Sequence, residues 1–565
     1  MRKLIFIPLL FICLSLSAVT YYTSTTGTDG AYPTRGTLAN PFLTIQYGIN
    51  QLRVGDTLYI RGGTYSITTM LSVSGTYDGT ALNPICVFGY PTETVIIDGN
   101  GLYRQSGVWV QNAAYWIFKD LIIKNVWQDG AGDDVKGWLI SNSNYVYMIN
   151  CTAYHIGGPG FATSDNGTGA GGRYYFTNCD SYSNNDSDSD NPGNDADGWT
   201  IIGQMLTVYH PTAADTLTWP RVYLTNCRAW NNTDDGYDQT FGAYIEFDSC
   251  WAINNGSSGD GNGIKGGLHI PGLAPVRMII IRNCVSLYNK QGFRINSSQS
   301  IRFPDISFYN NTAAYNTYNF NGGYHAPQTG GAAVFKNNIG YGQAIEMAWL
   351  TPSNFSMEPG MVYTSNHNTW DVGHPTVTNA DFQSIDTTGV TAARQADGSF
   401  PNNACYNTFL HLAGTSDLID AGTNVGLPYE NYAPDLGAFE YDTIVPPDTA
   451  LIHTKTPIVW STKAQTGGDI INDGGQEITA KGVVWDYFIY PNLTDNVISC
   501  GTGSADFTTT ITGLLPETTY HVRAYATNAS GTSYGADEEF TTSKFSYVFS
   551  NGKQVYDGTK KVVIE

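Results

Sequence analysis

One phrase recurs along this chain and limits what it can fold into. It appears as MINCTAYHIG (148–157), FTNCDSYSNN (176–185), LTNCRAWNN (224–232), FDSCWAINN (247–255) and IRNCVSLYN (281–289). FYNNTAAYN (308–316) and FKNNIGYG (335–342) carry Asn in the Cys position, and FKDLIIKN (118–125) follows more loosely. Each copy places Asn or Ser before Cys or Asn, then a short alternating apolar run. Such a repeat, with copies clustering near 28 residues apart, predicts one strand-rich coil per copy, stacked on the next.

Strands stacked about 4.8 Å apart turn equivalent positions into ladders along the axis. Cys151, Cys179, Cys227, Cys250 and Cys284 are then an inward ladder of free thiols acting as small hydrophobes. Asn184, Asn232, Asn255, Asn289 and Asn316, which end five copies, form a turn ladder that bonds coil to coil. That ladder explains them without glycosylation, although several fit N-x-S/T sequons. The composition agrees: 14% of residues are charged, while glycines number 62 and tyrosines 38, a mix suited to strands and turns.

At 565 residues the chain exceeds one ordinary domain. Residues 1–20 read as a signal peptide, two basic residues before an apolar run, with cleavage between Ser17 and Thr20. This predicts a secreted or cell-surface, extracellular protein. The run is short for a bilayer span, and no other segment reads as one. Residues 21–441 hold the coils. In FLTIQYGINQLRVGDTLYIRGGTY, Ile45, Ile49 and Leu52 have helical spacing and predict a helix capping the first coil, followed by the first strand and turn. The repeat fades after about residue 345, and PDLGAFEYD (434–442) reads as a closing strand. A linker spans 442–450, a small β-sandwich 451–543, and the tail 544–565 is unassigned. The fold class is therefore all-β, a parallel solenoid followed by a sandwich, in a protein expected to be a monomer.

A second column carries polar chemistry. DADGWT (195–200), DDGYD (234–238), GNGIK (261–265) and KQGFR (290–294) each place an apolar residue after Gly. Stacked in register, they make one column of Thr200, Asp238, Lys265 and Arg294 and another of Asp197, Asp235, Asn262 and Gln291. Both point outward if the apolar residue points in. Four carboxylates, Asp197, Asp234, Asp235 and Asp238, then converge and repel unless neutralised. Oxygen-only ligands suit a hard cation, above all Ca²⁺. Taken singly, Asp197 or Asp234 reads equally well as a turn cap, and Lys265 as a solvated surface lysine. Their joint placement favours a metal site beside a catalytic base. The net charge of −21 argues against a nucleic-acid partner, and an anionic ligand needs a local cation to bind.

At these residues the sequence resembles polysaccharide lyase family 9, the right-handed β-helix pectate lyases. NDADGW, NCRAWNNTDDGYD, GDGNGIK and RNCVSLYNKQGF carry the resemblance, which continues through ARQADGSFP and SDLIDAGTNVGLPYENYAPDLGAFEY and covers roughly residues 21–441. It implies Lys265 as the base and Asp197, Asp234, Asp235 and Asp238 as ligands of a catalytic Ca²⁺. The partner is an anionic uronate polysaccharide of the pectin type, cleaved by β-elimination to 4,5-unsaturated uronides. Asn262, Arg294 and His269 are candidate substrate contacts, and the glycines around Lys265 are expected to leave its face open to a long polymer. Arg294 stands where the family pattern carries Asp, which keeps other uronate polymers, such as rhamnogalacturonan, in view. Residues 451–543 resemble fibronectin type III modules. Two rivals remain: a β-helix glycoside hydrolase using a carboxylate pair such as Asp197 and Asp235, and a non-catalytic glycan-binding surface protein with structural calcium.

Overall fold

A computed structural model describes residues 18–565 except 76, 103, 129–134, 166–171, 190–191, 203–219, 241–242, 267–276, 296–304, 323–331, 343–352, 358–361, 375, 431, 442–448, 474–475, 545, 548, 551–552, 555, 558–559, 562 and 565. Residues 1–441 and 442–565 form separate compact units.

In the first unit, three parallel sheets wrap into a right-handed β-helix. Each full coil gives one strand to each sheet. The coil at residue 150, for example, runs Asn144–Ile149, Thr152–Ile156 and Phe161–Ser164. The first sheet has twelve described strands, from Thr20–Thr23 to Tyr363–Asn366. The second runs from Gly63–Ser66 to Ile339–Tyr341 and the third from Leu71–Ser74 to Ser353–Met357, with ten each.

The recurring phrase is the corner between the first and second sheets. The residue before each Cys or Asn turns the chain with a left-handed backbone: Asn150, Asn178, Asn226, Ser249, Asn283, Asn310 and Asn337 have φ of 53–60°. Asn tolerates this conformation better than most residues. The next side chain then points inward, and Cys151, Cys179, Cys227, Cys250 and Cys284 are fully buried free thiols. The Sγ atoms of Cys151, Cys179, Cys227 and Cys250 donate to carbonyls of the preceding coil, such as Cys179 to Met148 O at 3.4 Å. Asparagines extend the same ladder. Asn311 Oδ1 accepts from Cys284 N at 2.9 Å, and Asn338 Oδ1 from Asn311 N at 3.0 Å.

The second ladder closes the far end of the second sheet. Asn232, Asn255, Asn289 and Asn316 each accept, through Oδ1, the backbone N–H of the ladder residue one coil earlier, at 2.8–3.2 Å. Being buried, these asparagines are bonded to protein rather than presented to solvent.

The helix over the first coil spans Ile45–Gln51, with Thr44 as its N-cap and Ile45 and Ile49 buried. The first strand lies earlier than the sequence suggested, since Thr20–Thr23 pairs with Thr57–Ile60. The other end also differs. Coils continue past residue 345, as Ser353–Met357 and Tyr363–Asn366 pair onto the stack. The stretch 434–441 is not a strand. Gly437 has φ +98°, and the neighbouring N–H groups bond to Leu418 O and Asn337 O instead of a sheet edge. This stretch belongs to a covering layer, in which Phe382, Tyr406, Phe409, Leu418 and Leu436 pack on Trp230, Trp251, Val285 and Leu287 of the second sheet.

The second unit is an antiparallel β structure with its own core, including Ile452, Val483, Val522, Ala524 and Phe540. Beyond it, Ser546–Tyr547 pairs with Val563–Ile564. Among the described residues no helix is long and apolar enough to cross a membrane. The leader expected over residues 1–20 falls almost wholly on residues 1–17, outside the described residues.

Asn289 gives a direct measure of the ladder. Its Oδ1 satisfies Asn255 N, and its Nδ2 reaches Ala252 O and Ser286 Oγ. Asn289→Ala leaves buried groups of two coils unpaired and is expected to destabilise the protein by about 2–4 kcal/mol in denaturant unfolding. A change below about 0.5 kcal/mol would show that the ladder does not hold the stack together.

Candidate catalytic and metal site

The third sheet aligns the polar column. Thr200 pairs with Asp238, Asp238 with Lys265, Lys265 with Arg294, and Arg294 with Asn321. Between them Trp199, Tyr237, Ile264 and Phe293 point inward and stack in the core. Alternation along each strand thus puts the polar residues on the outer face.

Asp197, Asp234 and Asp235 each bring a carboxylate oxygen within 4.8 Å of the others. Donors from the following coil, and Thr200 from the same coil, aim them. Asp197 accepts from Thr200 Oγ1 at 2.6 Å and from Asp235 N at 3.0 Å. Asp234 Oδ1 accepts from Asp260 N at 2.7 Å. Asp235 Oδ1 accepts from Asn262 N at 2.7 Å and Asn262 Nδ2 at 2.8 Å. Asp238 stands outside this trio, against Lys265. Its Oδ1 is buried with no hydrogen-bond partner, which suits a cation at the edge of the group. Hard oxygen donors in this number fit Ca²⁺.

Lys265 Nζ lies 3.1 Å from Asp235, 3.3 Å from Asp238 and 3.7 Å from Asp260. The sequence reading missed Asp260. Its signal was present in GDGNGIK, but only the fold of that loop turns its side chain toward the lysine. Arg294 bonds to Gln291 Oε1, which also accepts from Asn321 Nδ2 at 2.6 Å.

Asn262 is completely buried and clamps Asp235. One expectation needs correction: the glycines do not open the face. A Cβ on Gly263 would meet Ser286 Oγ at 2.2 Å, and one on Gly259 would meet Asp234 Oδ1 at 2.1 Å. They let coils and loops pack closely, and Lys265 is only 8% exposed. His269 lies outside the described residues.

Burial sets the electrostatics. It pushes Asp197, with Asp238, Asp235 and Asp234 nearby, well above the usual carboxylate range. It raises Asp234 to about 8, helped by Asp235. Asp235 rises to about 6, with Lys265 restraining the shift. Burial alone would lower Lys265, but Asp235, Asp238 and Asp197 outweigh it and hold the ammonium firmly protonated. A cavity of about 580 Å³ lies elsewhere, between the second sheet and residues 391–398. There Asp180 pairs with Arg228 at 2.6 Å and Arg394 at 2.8 Å, which ties the covering layer to the coils.

The profile described as "Pel9A-like, right handed beta helix region" matches residues 21–338. Pectate lyase L of Dickeya dadantii is 28% identical over 338 residues, covering 58% of this chain and 67% of that protein. Pectate lyase PEL9 of Emericella nidulans is 28% identical over 429 residues, covering 68% and 90%. Among solved structures, pectate lyase Pel9A aligns with TM-score 0.57 at 23% identity, over 76% of this chain and 98% of that one. A rhamnogalacturonan lyase aligns with TM-score 0.56 at 21% identity, over 70% and 97%.

Carboxyls raised above their unfolded value of about 4 keep protons in the fold that they release on unfolding. In chelator, the stability they contribute is therefore full below about pH 4 and is lost as the pH rises through about 6 for Asp235 and 8 for Asp234. A cation binds the ionised form and opposes that loss. Calorimetry should show a larger Ca²⁺-induced rise in Tm at pH 8 than at pH 6, and Asp197→Asn should remove most of it. An equal rise at both pH values would contradict the assignment.

Proposed function

This chain belongs to the Pel9A-like right-handed β-helix family and is a polysaccharide lyase, and from that premise we propose that it is a secreted, calcium-dependent enzyme cleaving polygalacturonate by β-elimination. The observation that carries this reading is the contact of one lysine with a carboxylate, Asp235, that also belongs to the buried trio.

Asp197, Asp234 and Asp235 are the proposed ligands, with Asp238 beside them. Bound there, Ca²⁺ would engage the uronate carboxylate, draw charge from it and acidify the neighbouring C5 proton. Thr200 and Asn262 hold the ligand carboxylates in position. Lys265 Nζ takes the C5 proton, and the electron pair forms the C4–C5 double bond as the C4–O glycosidic bond breaks. Arg294, next to Lys265 in the sheet, is the proposed grip on a substrate carboxylate.

A lysine base must be neutral, so its aspartate neighbours at first work against the reaction. Once their charge is taken up by the cation, burial remains, and burial lowers a lysine. This argues for an alkaline optimum and for metal dependence through the base as well as the substrate. The hydrolase reading fits less well. Asp197 and Asp235 sit in one group whose oxygens lie within 4.8 Å, and Asp235 N donates to Asp197 Oδ1 at 3.0 Å. An acid and its partner must instead flank a glycosidic bond, about 5–9.5 Å apart.

The test is absorbance of unsaturated uronide product from polygalacturonate, with Ca²⁺ or chelator. Wild type should produce it only with Ca²⁺, increasingly toward alkaline pH, and Lys265→Ala should lose at least about a thousandfold in rate. Activity retained in chelator, or by Lys265→Ala, would overturn the mechanism. Activity on rhamnogalacturonan alone would reassign the polymer while keeping the site.

A further inference from the structure

The outer face of the first sheet carries a feature that the proposed chemistry does not use. Arg173 and Arg221 are direct neighbours on adjacent strands, with side chains on the same face. Like charges opposite one another in a sheet are destabilising. Four other arginines of this unit meet acids: Arg61 meets Glu93 at 2.5 Å, Arg282 meets Glu246 at 2.6 Å, and Arg228 and Arg394 share Asp180, whereas Arg53 lies over the Tyr77 ring. Among the described residues, Arg173 and Arg221 meet none. Each instead lies over a ring, Arg173 at 5.2 Å from Tyr145 and Arg221 at 5.4 Å from Tyr244. Glu246, in register with Tyr223 on this face, is taken up by Arg282.

Two residues along each strand, Tyr147, Tyr175 and Tyr223 form a parallel stack with centroids 4.6 and 4.9 Å apart. All three are half-buried. Rings packed face to face leave their edges and hydroxyls to solvent, so this column offers hydrogen bonds rather than a stacking platform. The surface thus presents two guanidiniums one strand apart, with no acidic partner among the described residues, beside a row of phenols, on a chain of net charge −21.

We propose that the Arg173–Arg221 pair, with Tyr147, Tyr175 and Tyr223, is an accessory binding surface for an anionic uronate polysaccharide laid along the solenoid axis. This rests on the uronate reading of the catalytic site. The rationale is charge complementarity. The overall field repels a polyanion, so the polymer must be held by local cations, and guanidinium matches carboxylate in a forked geometry that a lone ammonium lacks. Carboxylates on successive sugar rings meet cations on successive strands, while ring hydroxyls meet the phenols. The surface would hold a long chain without taking part in the elimination.

The experiment compares full-length Lys265→Ala with the same chain also carrying Arg173→Gln and Arg221→Gln. Affinity electrophoresis would be run through polygalacturonate, neutral galactan and duplex DNA. The arginine substitutions should weaken retention by polygalacturonate about tenfold at low salt, with the difference vanishing at high salt and no effect on galactan. With Lys265 intact, the same two arginine substitutions should leave cleavage of a short oligouronate unchanged and slow cleavage of dilute polymer through KM. An unchanged Ca²⁺-induced Tm rise verifies that the arginine variant is folded. Equal polygalacturonate retention with and without the arginines would overturn the proposal, as would equally strong, arginine-dependent retention by DNA. Failure of the wild type to cleave any uronate would sink the catalytic reading alone, because retention is scored independently.

Discussion

Register between coils is the constraint on which the rest of this protein depends. A parallel stack repeats its backbone bonds at every strand, but backbone bonding alone does not choose which residue faces which. The buried asparagines supply that choice. Each Oδ1 satisfies one N–H on the preceding coil, so a slip of one residue leaves a chain of buried polar groups unpaired. The left-handed turns before them fix where each coil bends. Once register is set, residues about 27 positions apart in sequence, such as Asp238 and Lys265, become neighbours.

The site exploits that rigidity. Carboxylates so close together and so deeply buried are costly, and no exposed loop would hold them in one geometry. Here each is fixed by donors from the following coil or its own strand: Asn262 on Asp235, Asp260 N on Asp234, Thr200 on Asp197. These bonds partly offset the desolvation that raises the carboxyls, but they do not neutralise the cluster. The stack stores an electrostatic strain that a lysine relieves on one side and that a divalent cation is suited to relieve on the other.

The sequence revealed the coil, both ladders and the alignment of Thr200, Asp238, Lys265 and Arg294, because each is a matter of period and register. It did not reveal depth. Asn262 occupies the position expected for a ligand-facing residue, yet the close packing that the neighbouring glycines permit buries it against Asp235. Asp260 escaped notice because it lies outside both columns, and only the course of its loop brings it to Lys265. The covering layer was legible as a family pattern but not as a shape. Its apolar residues fill the outer face of the second sheet without a period of their own, so PDLGAFEY read as a strand.

If the proposed base and cation site are built on shared residues, that sharing has a consequence that separate sites would lack. Asp235 touches Lys265 through one oxygen and is clamped by Asn262 through the other, while also belonging to the trio. A cation drawing charge from Asp235 therefore weakens the hold on the lysine's proton at the same time as it creates a place for the substrate carboxylate. In the proposed mechanism the lysine would stay a charged structural partner until a cation binds, and would become competent as a base only when the substrate can also be bound. On that proposal, the carboxylates that hold the lysine protonated in the metal-free protein would be the device that ties its basicity to the metal.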